Sequence, residues 1–192
     1  MMKNVWMPVL ALCLLMSMAF CASVQRQQEE LSSRLVRLHI VADSDSGEAQ
    51  SRKLMARNAV TRLLEPLLNS CGGSEEARAV IRENIGQIAE TARDAAGGQA
   101  VTVKLCAESF PAKVYEGFAL PAGEYSSLRV TLGGGSGRNW WCVVFPPLCS
   151  ECGDSDAAFL KLDEDERALI AGKGTVIKFR ILELLKRLRA LF

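Results

Sequence analysis

The segment Arg34–Glu48, RLVRLHIVADSDSGE, passes from a strand pattern to a helix start. Its first half alternates between two sets of side chains, and one set is entirely apolar. The apolar set is Val36, Leu38, Ile40 and Ala42, and the other set is Arg37, His39 and Val41. Because a two-residue period is typical of a β-strand, this half predicts a strand with at least one buried face.

The second half, Asp43-Ser44-Asp45-Ser46-Gly47-Glu48, is rich in residues that end strands and begin helices. Asp45 or Ser46 can cap the following helix, and Glu48 places a carboxylate near the positive end of that helix. Alternating oxygens also suit a calcium ion, but the glycine comes one place early and Leu54 stands where a bidentate carboxylate is needed. We therefore interpret the segment as a turn and helix cap.

Hydrophobic periodicity predicts the helices and strands of the whole chain. In order, they are a strand over 36–42, helices over 48–68 and 75–96, strands over 100–109, 125–132 and 139–147, and a helix over 173–192. The Gly-rich GGGSG predicts a flexible turn that joins the last two strands as a hairpin. The chain is therefore predicted to be a single mixed α/β (α+β) domain over 35–192, with about four strands and three helices.

The N-terminus combines one lysine with a mostly apolar run from Val5 to Phe20, followed by small residues. This pattern is typical of a secretory signal. The run is short for a bilayer span, which needs about 20 residues, so cleavage near Ala22 or Ser23 is favoured over retention as an anchor. We assign 1–23 to a signal peptide or N-terminal anchor and 24–34 to a linker or short helix.

Composition and the polar residues exclude several classes of function. Lys and Arg number 23 against 22 Asp and Glu, so the net charge gives no reason to expect nucleic acid as a partner. His39 is the only histidine, which excludes metal or catalytic sites that need two imidazoles. Cys149 and Cys152 have C-x-x-C spacing but lack the context of a redox motif or zinc site. We expect no catalytic residue, metal or cofactor.

The segment 137–149, GRNWWCVVFPPLC, has more aromatic, cysteine and proline residues than a packed strand requires. Its two tryptophans are adjacent, so they point to opposite faces if they share one strand. One then fills the core, and the other can anchor a protein partner beside the Phe-Pro-Pro turn. The predicted partner-binding residues are Trp140, Trp141, Phe145, Pro146 and Pro147. Core packing alone is the competing interpretation.

The predicted last helix, residues 173–192, has an apolar face and a basic face on which six Lys and Arg residues stand against Glu183. A basic amphipathic helix can lie on an anionic membrane surface. Docking of its Leu/Ile stripe on the sheet is the alternative, and the stripe itself favours that alternative.

Three segments together resemble the stage II sporulation protein R family of endospore-forming bacteria. They are RLHIVADSDSGEAQSRKLMARNAV, LPAGEYSSLRVTLGGGSGRNWWCVVFPPLC and VIKFRILELL, which appear in the family's order between residues 35 and 190. NWWCVVFPPLC is the specific part of the resemblance. Asp43 and Gly47 stand where the family generally has Asn and Pro, and Ser44, Asp45 and Glu48 match its pattern.

The resemblance implies a signalling protein that is made in the forespore and exported into the space between the two sporulation membranes. There it activates a membrane-embedded aspartyl protease of the mother cell, which removes the pro-sequence of sigma-E. By this resemblance the chain is a ligand of the protease and not an enzyme. The alternative is an extracytoplasmic hydrolase of the cell wall, which the export signal and the carboxylates of Asp43, Asp45 and Glu48 suggest.

Cys142 and Cys149 are the two cysteines within the resembling segment, and the compartment implied for the chain permits their oxidation. The residues between them can reverse direction at the proline pair and bring the cysteines within bonding range. We predict a disulfide between Cys142 and Cys149 that holds the Phe-Pro-Pro turn in a fixed shape. The roles of Cys71, Cys106 and Cys152 stay open.

Overall fold

The computed structural model describes residues 6–114 and 119–147. This part of the chain is mixed α/β, as predicted, and begins with the apolar helix. Its helices are α1 (Trp6–Arg34), α2 (Gly47–Asn69), α3 (Ser74–Glu83) and α4 (Ile85–Ala95). Its strands are β1 (Val36–Val41), β2 (Val101–Phe110), β3 (Lys113–Val114), β4 (Ala119–Leu120), β5 (Gly123–Leu132) and β6 (Asn139–Phe145). The helix predicted over 173–192, Cys149 and Cys152 lie outside the described residues.

Strand β1 lies inside a four-stranded sheet with the order β2-β5-β1-β6. It runs parallel to β5 and antiparallel to β6, while β2 pairs antiparallel with β5. The predicted hairpin of β5 and β6 is wrong, because β1 lies between these strands and pairs with both. The connection 133–138 must therefore pass over the end of β1 and span about 10 Å, which is two strand spacings.

One face of the sheet packs against the helices α2, α3 and α4 and forms the hydrophobic core. The apolar set of β1 points to this side, where Val36, Leu38 and Ile40 have no exposed surface. Strand β5 adds Leu128, Val130 and Leu132, and α2 adds Ala56, Val60, Leu64 and Leu68. The set that the sequence predicted to be buried is therefore the core-facing set.

The opposite face of the sheet, called the polar face below, is also largely buried at β1. It carries Arg37, His39, Glu108, Ser127, Arg129, Asn139 and Trp141. The guanidinium carbon of Arg37 lies 4.0 Å from the centroid of the Phe110 ring and 4.9 Å from that of Tyr125. Aromatic faces attract a guanidinium and so offset part of the cost of its burial. All six residues of β1 are consequently buried. Both faces of this strand are therefore covered, whereas the alternating pattern required only one buried face.

The segment predicted as one helix over 75–96 forms two helices that are separated at Asn84. Asn84 has φ −103° and ψ 10°, and its Nδ2 donates to the carbonyl oxygen of Val80 at 2.8 Å. Asparagine side chains compete in this way with helical backbone bonding. Ile81 and Ile88 are both buried, so the apolar period continues across the break and does not reveal it.

Helix α1 continues without interruption from the apolar N-terminal segment to the residue Arg34. It is long and apolar enough to cross a membrane, and its most apolar window is not buried in the rest of the chain. Its last turns differ, because Gln28 and Leu31 are buried and Gln28 Nε2 donates to the carbonyl oxygen of Ala122. The segment 24–34 is therefore helical and contributes packing contacts to β5.

Substitution of Leu31 tests whether the end of α1 belongs to the folded unit. Because Leu31 has no exposed surface, Leu31→Ala should leave a cavity and lower the free energy of unfolding by about 2 to 4 kcal/mol. The exposed Gln27→Ala on the same helix is the control and should change it little. Urea denaturation of the full-length chain in detergent measures both, and equal midpoints would show that the end of α1 is dispensable.

Candidate functional site

Two loops meet at the end of β1 and are bonded to each other, and we call this contact the loop clamp (residues 42–45 with 133–138). Asp43 Oδ1 accepts a hydrogen bond from the Gly134 amide at 2.6 Å, and Asp45 Oδ1 accepts one from the Arg138 amide at 2.8 Å. The Gly137 amide donates to the carbonyl oxygen of Ala42 at 2.9 Å. The loop that the sequence predicted as a flexible turn is thus tied to the end of β1.

Two glycines permit this close approach of the loops. Gly133 has a φ of +53°, a conformation that side chains disfavour, and a Cβ there would also collide with the carboxylate of Asp43. At Gly137 a Cβ would collide with the backbone carbonyl of Ser44. Gly133 and Gly137 are therefore packing requirements of the loop clamp.

The predicted turn and helix cap is present, and each of its side chains makes a different interaction. Ser46 Oγ accepts a hydrogen bond from the Ala49 amide at 3.2 Å and caps α2. Asp45 does not cap the helix but holds the loop clamp, and Glu48 forms an ion pair of 2.5 Å with Arg52. Within residues 6–114 and 119–147, no group of three or more side chains could hold a metal ion.

Two hydrogen bonds join the first turns of α2 to the loop clamp, and a third links the two side chains that donate them. Lys53 Nζ donates to the Arg138 carbonyl oxygen at 3.1 Å and to Gln50 Oε1 at 2.6 Å, and Gln50 Nε2 donates to the Ser44 carbonyl oxygen at 2.8 Å. Burial lowers the pKa of Lys53, and the charge of Arg138 lowers it further. The helix start and both loops consequently form one connected unit.

The two tryptophans of β6 point to opposite faces of the sheet, as predicted. Trp140 packs at the margin of the helical core, where the guanidinium carbon of Arg57 lies 4.3 Å from its ring centroid. Trp141 lies on the polar face, with its ring centroid 5.7 Å from that of His39 and 5.8 Å from Lys113 Nζ. Each ring is half-buried and each has a cation at its face.

The other residues predicted to bind a partner are less accessible. Phe145 and Pro146 are buried, and Pro147 is half-buried. Cys142 is buried in the core cluster, with 4% of its surface exposed. Cys149 lies outside the described residues, so its bridge to Cys142 stays a prediction that peptide mapping of unreduced protein can test.

A hydrogen-bonded cluster that the sequence did not predict occupies the centre of the polar face. Glu108 accepts three of its hydrogen bonds. Its Oε1 accepts from His39 Nδ1 and Arg129 Nη1, both at 2.9 Å, and its Oε2 accepts from Ser127 Oγ at 2.8 Å. His39 Nε2 lies 2.9 Å from Asn139 Oδ1. These residues come from four different strands, and no local spacing in the sequence connects them.

The cluster contains the residue types of a serine hydrolase but not their arrangement. In a catalytic triad the serine hydroxyl bonds to the imidazole and the imidazole bonds to the carboxylate. Here the Ser127 hydroxyl donates directly to Glu108, and Ser127 has no exposed surface. Burial raises the pKa of Glu108, but the hydrogen bonds from Ser127 and His39 and the charges of His39 and Arg129 lower it more, so its net pKa is depressed. These hydrogen bonds join the four strands across the polar face and stabilise the sheet.

These features define a mixed α/β domain that follows a helix of membrane-spanning length and presents a half-buried aromatic face. The chain belongs to the stage II sporulation protein R family, whose model matches residues 32–153. The stage II sporulation protein R of Bacillus subtilis (strain 168) is 37% identical over 148 residues, which are 75% of this chain. The match covers 66% of the relative, slightly less than two thirds of its length. No solved structure gives a significant match.

Substitution of Gly137 tests the loop clamp. Gly137→Ala should lower the free energy of unfolding by about 1 to 3 kcal/mol, because the new methyl group meets backbone atoms of Ser44 that cannot move independently. Gly134→Ala in the same loop is the matched control, since its nearest neighbour is Asp43 Oδ1 at an ordinary 3.5 Å. Thermal denaturation of both variants measures the difference, and similar melting temperatures would contradict the clamp.

Substitution of Glu108 tests the cluster through its pH dependence. A depressed pKa means that the ionised carboxylate stabilises the fold above about pH 4.5, the ordinary value, and that this contribution is lost as the pH falls through the folded-state pKa. Glu108→Gln should cost about 2 kcal/mol at neutral pH and flatten the acid limb of the stability curve. The exposed Glu90→Gln should leave that limb unchanged. An unaltered acid limb in Glu108→Gln would contradict the assigned role.

Proposed function

We propose that this chain is an exported signal of the forespore that activates the membrane-embedded aspartyl protease of the mother cell, and thereby the processing of pro-sigma-E. Membership of the stage II sporulation protein R family is the single observation that carries the proposal. The N-terminal helix supports it, because a signal or anchor is required for passage to the space between the two membranes. The chain acts in this proposal as a ligand of the protease and not as an enzyme.

The contact with the protease is proposed to include the aromatic segment of β6. Trp141 is half-buried on the polar face and Pro147 is half-buried at the end of the described chain, so both retain surface for a partner. Phe145 and Pro146 are buried and would act by shaping this segment. The predicted disulfide of Cys142 and Cys149 would hold the same segment before binding, which reduces the ordering cost of the contact.

The alternative of a cell-wall hydrolase depended on the carboxylates that follow β1. In the structure Asp43 and Asp45 accept backbone hydrogen bonds within the loop clamp, and Glu48 is paired with Arg52. These interactions assign the three carboxylates to the turn and helix start. No observation therefore favours the hydrolase over the signalling role.

Deletion of the gene in the sporulating organism that encodes the chain tests the proposed function. Pro-sigma-E should accumulate in the deletion strain, and a second copy of the wild-type gene should restore its processing, as measured by immunoblot. A copy carrying Met55→Ala, which alters an exposed residue of α2 away from the polar face, serves as an expression-matched control and should restore it too. Normal processing in the deletion strain would refute the proposal.

A further inference from the structure

A row of four side chains crosses the polar face at a single level of the sheet. The strand registers pair Lys104 of β2 with Arg129 of β5, Arg129 with His39 of β1, and His39 with Trp141 of β6. Directly paired residues point to the same face, so we call this set the cross-sheet row. It runs from one edge of the sheet to the other.

The cross-sheet row carries an excess of positive charge. Lys104 lies directly opposite Arg129, and like charges in such a pair are destabilising. Lys113, on the short β3–β4 ribbon, adds a third cation near Trp141. Glu108 is the carboxylate that contacts the row, and both of its oxygens already accept hydrogen bonds.

The positively charged side chains in and beside the cross-sheet row are accessible to a partner. Lys104 and Lys113 are exposed and form no ion pair with any of the described residues. The side chain of Arg129 is 41% exposed, and one of its terminal nitrogens is directed to Glu108. The surface therefore offers positive charges on a rigid sheet together with one half-buried indole.

We propose that the cross-sheet row, with Lys113, is a docking site for an acidic, extended segment of a partner protein. The inference rests on the proposed function, in which the partner is the mother-cell protease. The row spans three strand spacings, about 14 Å, which matches about four residues of an extended chain. Carboxylates of that segment would compensate Lys104, Arg129 and Lys113, and Trp141 would supply the aromatic anchor.

The shape of the row favours a protein segment over an anionic lipid surface. Binding in the lipid interface uses apolar side chains that insert below the headgroups. Trp141 is half-buried, with His39 and Lys113 at its ring, so it offers only part of its apolar surface for insertion. Cations fixed on strands instead suit carboxylates that are themselves spaced along a polypeptide.

Charge reversal at the two exposed lysines tests the docking site. The full-length Lys104→Glu/Lys113→Glu variant should bind the detergent-solubilised protease at least about tenfold more weakly than wild type, and wild-type binding should weaken as salt is added. Arg62→Glu/Arg82→Glu makes the same change of charge on exposed positions of α2 and α3 and should bind as wild type does. The Lys104→Arg/Lys113→Arg variant retains the charges and should also bind normally.

The outcomes separate this inference from the proposed function. If wild type activates the protease and the charge-reversed variant binds it equally well, the docking site is refuted while the proposed function stands. If the reversed variant loses binding only to phosphatidylglycerol vesicles, the row is a lipid site and the inference is likewise refuted. If wild type neither binds nor activates the protease, both proposals fail. Unchanged urea midpoints of the lysine variants show that a binding loss does not reflect misfolding.

Discussion

The pairing of β1 with two partners at once is the constraint on which the rest of this structure depends. Because β1 lies between β5 and β6, the chain that leaves β5 has to cross the end of β1 before β6 can begin. A crossing so close to another backbone leaves little room for side chains, and this accounts for Gly133 and Gly137. The carboxylates after β1 then bond to the crossing loop, and the loop clamp follows from the topology.

Much of the fold could be predicted from local patterns in the sequence. The alternation of Val36, Leu38 and Ile40 identified the buried strand, and the predicted cap at Asp45 or Ser46 marked the start of α2, where the structure has Ser46. The order of the strands could not be predicted in this way, since a Gly-rich connection between two strands usually indicates a hairpin. The position of β1 between β5 and β6 depends on long-range pairing, and no residue within 133–138 indicates it.

Some features of the candidate site could be predicted from neighbouring residues in the sequence, and others depend on long-range contacts. The opposite orientation of Trp140 and Trp141 was predictable because the side-chain period of a strand is two. The cluster around Glu108 was not, because its hydrogen-bonded pairs lie 19 to 100 positions apart along the chain and meet only through the strand registers. His39 was noted as the only histidine, but its partners could not be read from its neighbours in sequence. The bonds of the partly buried Glu108 carboxylate could therefore be identified only once the order of the strands was known.

Helix α1 is continuous from the apolar N-terminal segment to the residues that pack on the sheet, so its length bears on whether the N-terminus is a cleaved signal or a retained anchor. Leu31 is packed on the domain and Phe20 is exposed, and the helix between them rises about 16 Å. If the N-terminal helix is retained as an anchor, this length separates the packed end of α1 from its apolar segment. If the chain is cut near Ala22, the packed turns at Gln28 and Leu31 stay with the domain. Either form consequently presents the same folded surface, because the contacts of α1 with β5 lie on the C-terminal side of the predicted cleavage site.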